Sequence, residues 1–208
     1  MSSLVNRRSV MTLYADAADP IAHAVRIVLA EKDVNVEISF VTEETKPEDL
    51  HDLNPYHTIL TLVDRELVLY DAQIMLEYLD ERYPHPPLMP VDPVGRANNR
   101  QIRYRVTRDL LNLASQLGRG DATAAAQAEQ VIRDNLYAIA PILTQHPYFL
   151  SSDYSLVDCC LAPLLWRLPH YGIKLTPQAR PLLKYAETLF AREAFRASLT
   201  AVERDMRH

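Results

Sequence analysis

A chain of 208 residues with 48% hydrophobic and 24% charged residues has the make-up of a globular protein that buries one or two compact cores, which excludes global disorder. Its formal net charge of -5 excludes the surplus of Lys and Arg that phosphate neutralisation requires, so no direct DNA or RNA binding is expected. The only two cysteines, Cys159 and Cys160, are adjacent and offer no long-range staple, no apolar h-region opens the chain and no apolar window reaches about 18 residues. A reducing cytoplasm is the expected compartment, with neither secretion nor a membrane span.

The run Ser9 to Tyr14 is β-prone and ends at the turn-rich ADAADP. Ile21, Val25, Val28 and Leu29 then recur at helical spacing, and Val34 to Val41 alternates as a half-buried strand does. A short helix is predicted over Glu48 to Leu53, followed by two strand-like runs, Ile59 to Val63 and Glu66 to Tyr70, spaced as a hairpin around Asp64-Arg65. Asp71 is placed to cap a helix running to about Arg82. The resulting order, βαβαββα, is thioredoxin-like.

Five prolines between Pro84 and Pro93 forbid a helix or central strand there. Beyond them only helical periodicity is legible. Ile102, Val106, Leu110, Leu113 and Leu117 share one predicted face, and Ala128, Ile132, Leu136, Ile139 and Leu143 share the next. Further helices are predicted after Tyr154, over Gln178 to Ala191 and near Glu193 to Ser198. The expected organisation is an α/β thioredoxin-like unit over 1–83, a proline-rich linker over 84–93 and an all-α unit over 94–208.

That two-unit order resembles the cytosolic glutathione transferases over nearly the whole chain. VRIVLAEK at Val25 to Lys32, DLNP at Asp52 to Pro55, TLVDRELVLYDAQIMLEYLDERYPHPPLMPV at Thr61 to Val91 and SLVDCCLAPLLWRLP at Ser155 to Pro169 narrow it further. These segments are similar to the stringent starvation protein A family within that superfamily, PHPPLMP being the most diagnostic. Architecture does not carry function by itself. The resemblance implies a cytoplasmic homodimer that binds RNA polymerase holoenzyme, sigma factor included, through Pro84, His85, Pro86, Pro87, Leu88, Met89 and Pro90. Family members commonly have an aromatic where this chain has Asp92.

A glutathione-dependent transferase or peroxidase is the alternative, and the superfamily pattern tests it residue by residue. Stabilising a glutathione thiolate takes a hydroxyl or thiol near the end of the first strand. Only Tyr14 offers one, and Asp16 and Asp19 would repel the thiolate. The acid-Ser pair that receives the γ-glutamyl end reads Asp71-Ala72 here, and the cis-proline position is held by Leu60. A cis bond at Ile59-Leu60 would cost about 3 kcal/mol, so a trans bond is expected. No catalytic or cofactor-binding residue is assigned.

The seven histidines and two cysteines show no metal-ligand spacing, Gly95, Gly118, Gly120 and Gly172 form no phosphate-cradling loop, and Cys159-Cys160 read as packing residues of an apolar helix. Ser155-x-x-Asp158 is a capping-box pattern. Arg96, Arg100 and Arg103 share a helix face, with solvent-exposed or dimer-spanning ion pairs expected. Leu88 and Met89, on a stiff proline-rich segment, read either as a displayed recognition surface or as anchors tucked into the helical unit. A third possibility is a subunit that pairs with a paralogue.

Overall fold

The computed structural model describes residues 10–114, 117 and 122–207, so Ser9, Gly118, Gly120 and His208 fall outside it. The chain forms β1 (Met11–Ala15), α1 (Pro20–Glu31), β2 (Val36–Phe40), α2 (Asp49–Leu53), β3 (Thr61–Asp64), β4 (Leu67–Leu69) and α3 (Ala72–Arg82). The sheet order is β2-β1-β3-β4, with β2 parallel to β1 and the other pairings antiparallel. The parallel pair is the one that a helix must cross between, and Leu13 sits between Ile38 and Leu62 in register. The β3-β4 turn is taken by Arg65 with φ of 56°, one residue later than the sequence centred it.

The two faces of β1 go to different cores, as strand alternation requires. Met11, Leu13 and Ala15 join the main core, whereas Tyr14 packs with Val41, Leu50 and Val63 on the opposite face. Asp19 caps α1 by accepting from Ala22 N at 2.7 Å, and Asp71 caps α3 by accepting from Ile74 N at 3.0 Å.

The helices that follow are α4 (Pro93–Val106), α5 (Asn112–Ala114), α6 (Ala122–Ile139), α7 (Leu156–Arg167), α8 (Arg180–Phe190), α9 (Glu193–Ser198) and α10 (Ala201–Asp205). The long face expected from Ile102 to Leu117 is interrupted by a π-helical turn at Thr107–Leu111. The wider turn shifts the register by a residue, so Leu110 and Leu111 are both buried while Leu113 is only partly so. Ala128, Ile132 and Leu136 face inward along α6 as their spacing predicts.

Helix α7 is buried all round because it is the central helix: every residue from Leu156 to Leu165 is buried. Its start carries the capping box, with Asp158 accepting from Ser155 N at 2.8 Å. Asp158 also accepts from Phe149 N at 2.9 Å and from the Tyr185 hydroxyl at 2.7 Å, so it joins three segments. The helix α10 was not expected from the sequence. Its signal is a second capping box, Thr200-x-x-Glu203.

One apolar core runs from the sheet through α1 and α3 into α7 and α8. Leu88 and Met89 belong to it, at 2% and 7% exposure. The segment between α3 and α4 is therefore fastened at its middle.

Candidate functional site

The residues that the transferase pattern singles out are spread over separate structural tasks. The Tyr14 side chain packs in the smaller apolar cluster, at 2% exposure. Asp16 Oδ1 accepts from Ala18 N at 2.8 Å, and burial pushes the Asp19 carboxyl up even as it caps α1. The carbonyls of this loop are also committed: Ala18 O accepts from Arg167 Nη2 at 3.0 Å and Ala17 O from the Thr200 hydroxyl at 3.0 Å. Leu60 packs against the main core, and among the described residues the only cis peptide bond is His85-Pro86, so Ile59-Leu60 is trans. Asn54, fully buried, shapes that loop by donating to Thr58 O at 2.8 Å and to Thr61 Oγ1 at 3.2 Å.

The thiols are equally enclosed. Cys159 and Cys160 are free and buried; burial pushes the Cys160 thiol up to about 11 and the Cys159 thiol well above its ordinary value. Both are protonated at neutral pH, which removes nucleophilic character. No group of three or more His, Cys, Asp or Glu side chains converges as a metal site among the described residues.

Beneath the β1-α1 loop lies a buried polar cluster that the sequence did not disclose. Glu203 Oε1 is shared between Arg26 and Arg167, and His23 accepts at Nδ1 from Arg167 Nη1 at 3.0 Å. Arginine only donates, so the His23 proton sits on Nε2, 2.9 Å from the Ser198 hydroxyl, which in turn donates to Phe195 O. Although Glu203 lies 3.5 Å from His23 Nδ1, the ring is neutral. Burial, then the charges of Arg167 and Arg26, hold its pKa well below the ordinary value.

A folded-state value below the unfolded one means that the unfolded chain takes up the proton first. Stability is then expected to fall as pH drops below about 6.5, at up to about 1.4 kcal/mol per unit from this group. Urea unfolding between pH 7 and 5 tests this: His23→Gln should show a shallower slope, and an identical slope would refute the assignment.

The proline segment has an architecture of its own. Pro84, His85, Pro86 and Pro87 are exposed, Leu88 and Met89 buried and Pro90 half-buried. The display of Leu88 and Met89 therefore gives way to the anchoring alternative, each contributing about 1.5–3 kcal/mol as buried apolar side chains. The backbone is pinned from both sides. Lys32, at the end of α1, donates to the Pro86 carbonyl and forms a buried ion pair with Asp80 of α3 at 2.7 Å. Asp80 Oδ1 also accepts from Leu88 N at 2.8 Å, and Leu88 O accepts from Leu156 N, the first residue of α7, at 2.9 Å. The segment ends at Asp92, which caps α4 by accepting from Gly95 N at 2.8 Å. A Cβ on Gly95 would lie 2.6 Å from Asp92 Oδ2 and 2.9 Å from Pro90 Cβ, so this tight exit needs glycine.

Alongside it, the arginines of α4 pair within the chain. Arg100 grips Glu77 with three hydrogen bonds of 3.0, 3.1 and 2.8 Å, Arg103 reaches the same carboxylate, and Arg96 lies 3.4 Å from Glu81. Burial resists the charge on Glu77, but the hydrogen bonds and field of Arg100 and Arg103 outweigh it and hold the carboxyl below its usual range. These arginines clamp α4 to α3.

Comparison with known proteins places this geometry in a family. The model for the glutathione S-transferase N-terminal domain matches residues 20–82 and that for the C-terminal domain residues 86–193. Among solved structures, a rice glutathione transferase in complex with glutathione superposes with a TM-score of 0.83 at 23% identity, covering 97% of this chain and 96% of its own. FzlA from C. crescentus gives 0.81 at 23% identity, covering 96% and 100%; at such identities these two show the fold. A stringent starvation protein A homolog of Coxiella burnetii is 45% identical over 97% of both chains. Another, of Pasteurella multocida, is 46% identical over 96% of this chain and 94% of its own. With both transferase domain models matching and with identity at that level along nearly its whole length, the chain belongs to the stringent starvation protein A family of the glutathione transferase superfamily.

Proposed function

We propose that this protein is a noncatalytic transcription regulator of the starvation and stress response that binds RNA polymerase holoenzyme, sigma factor included. The observation that carries the reading is the rigid presentation of Pro84, His85, Pro86 and Pro87 to solvent over the anchors Leu88 and Met89. A surface whose backbone is already fixed loses little conformational freedom on binding, which favours recognition. The noncatalytic part is supported by the enclosure of Tyr14, Cys159 and Cys160. Promoter choice comes through the polymerase, since the chain carries a net charge of -5. The protein acts in the cytoplasm as a homodimer, for which the exposed Leu67, Tyr70 and Ile74 beside α3 supply an apolar face.

The test is binding of purified holoenzyme to the wild type and to Pro84→Ala/His85→Ala, with circular dichroism verifying that both are folded. The variant is expected to bind at least about tenfold more weakly, as loss of central contacts does. Unchanged binding by a folded variant would move the contact elsewhere. Absence of wild-type binding would overturn the function, and millimolar glutathione then distinguishes the transferase reading by calorimetry.

A further inference from the structure

A cleft of about 340 Å³ lies between α1, β2 and the turn joining α9 to α10. Leu29, Val36, Ile38, Phe40 and Leu199 make most of its lining apolar, and Arg26 is the cation among the lining residues. Arg26 is 2% exposed and only partly satisfied. Its Nε donates to Ser198 O at 3.2 Å and its Nη2 to Glu203 Oε1 at 2.5 Å, while Nη1 is buried with no hydrogen-bond partner among the described residues. Glu203 is already engaged at both oxygens: Oε1 also serves Arg167, and Oε2 accepts from Thr200 N at 3.0 Å. One carboxylate thus meets two guanidinium groups directly, and an unanswered donor at a buried cation is costly.

The Phe40 ring lines the cleft beside the Arg26 guanidinium. Its centroid lies 5.6 Å from the Arg26 guanidinium carbon, yet Phe40 is 48% exposed, so it can turn outward without disturbing the core. We propose that this cleft binds a small monocarboxylate with an apolar body, the carboxylate accepting from Arg26 Nη1 in place of the Phe40 ring and the hydrocarbon lying along Leu29, Ile38 and Leu199. The chemistry follows from the site: a charge-assisted hydrogen bond to a desolvated guanidinium is stronger than a neutral one, and the walls reward apolar area. The volume lies in the range of small-ligand pockets. Asp33, exposed in the lining, opposes a second negative charge.

Isothermal titration of octanoate and of uncharged octanamide tests the site on three proteins: the wild type, Asp33→Asn and Ala197→Trp. Asp33 has φ of 51°, which asparagine tolerates, and Ala197 is an exposed lining residue, so neither change disturbs the core. Octanoate is expected to bind the wild type at millimolar concentration or below, at least about tenfold more tightly than octanamide. At low salt Asp33→Asn should tighten octanoate by about two- to fourfold, and Ala197→Trp should abolish binding by filling the cleft. No octanoate binding, equal affinity for octanamide, an unchanged affinity in Asp33→Asn or wild-type binding by Ala197→Trp would each overturn the proposal. Holoenzyme binding is a separate readout, independent of these outcomes.

Discussion

Replacing Asp80 by alanine is expected to lower the free energy of unfolding by about 3–5 kcal/mol, the usual consequence of leaving a buried charge without its partner. Lys32 has a fully enclosed side chain and would keep only the Pro86 carbonyl, and Leu88 N would lose its acceptor. The double variant Lys32→Met/Asp80→Leu removes both charges and should be more stable than Asp80→Ala alone, because the desolvated ammonium is gone. Urea unfolding of the wild type, Lys32→Met, Asp80→Leu and the double variant completes the cycle. Additive losses would mean that the two groups act independently. The same pair fixes Pro86 and Leu88, so under the proposed function Asp80→Ala should also bind holoenzyme more weakly at temperatures where dichroism shows it folded. This links a stability measurement to the exposed surface through named atoms.

Glu203→Ala is the second large expected effect, again about 3–5 kcal/mol, because Arg26 and Arg167 would be left buried together. The change also removes the capping box of α10, worth about 1 kcal/mol. Glu203→Gln retains an acceptor for Thr200 N and should cost less. Trp166, the single tryptophan, reports locally: its Nε1 donates to Glu203 O at 2.7 Å and its ring meets Phe190 and Phe195 at centroid distances of 5.0 and 5.3 Å. Fluorescence of Glu203→Ala should shift to the red at lower urea than the far-ultraviolet transition, as α10 detaches first. Coincident transitions at wild-type stability would contradict the role given to this carboxylate.

Local chemistry was legible wherever a residue acts on its immediate neighbours. Asp71 as a helix cap, Ser155-x-x-Asp158 as a capping box and Ala128, Ile132 and Leu136 as an inward face each depend on spacing within a few positions. The βαβαββα order and the proline break followed from the same local rules. Thr200-x-x-Glu203 was readable in the same way and was missed because five residues of helix carry little periodicity. The π-helical turn at Thr107–Leu111, through which both Leu110 and Leu111 reach the core, was not readable, since no spacing within a few positions announces it.

By itself, then, the sequence determined most of the elements, the caps at Asp71 and Ser155 and the break in regular structure after Pro84, because dihedral restriction and hydrophobic period are properties of short stretches. Only the tertiary structure decided which way that segment faces. Leu88 and Met89 look displayable in sequence, but Lys32 and Asp80, 48 residues apart, and Leu156 fasten their backbone and turn them into the core. The same holds for Arg26, Arg167 and Glu203, whose charges look like ordinary surface residues until α1, α7 and α10 close around them. Burial and pairing of charge are decided by residues far apart in the chain, and no local pattern encodes them.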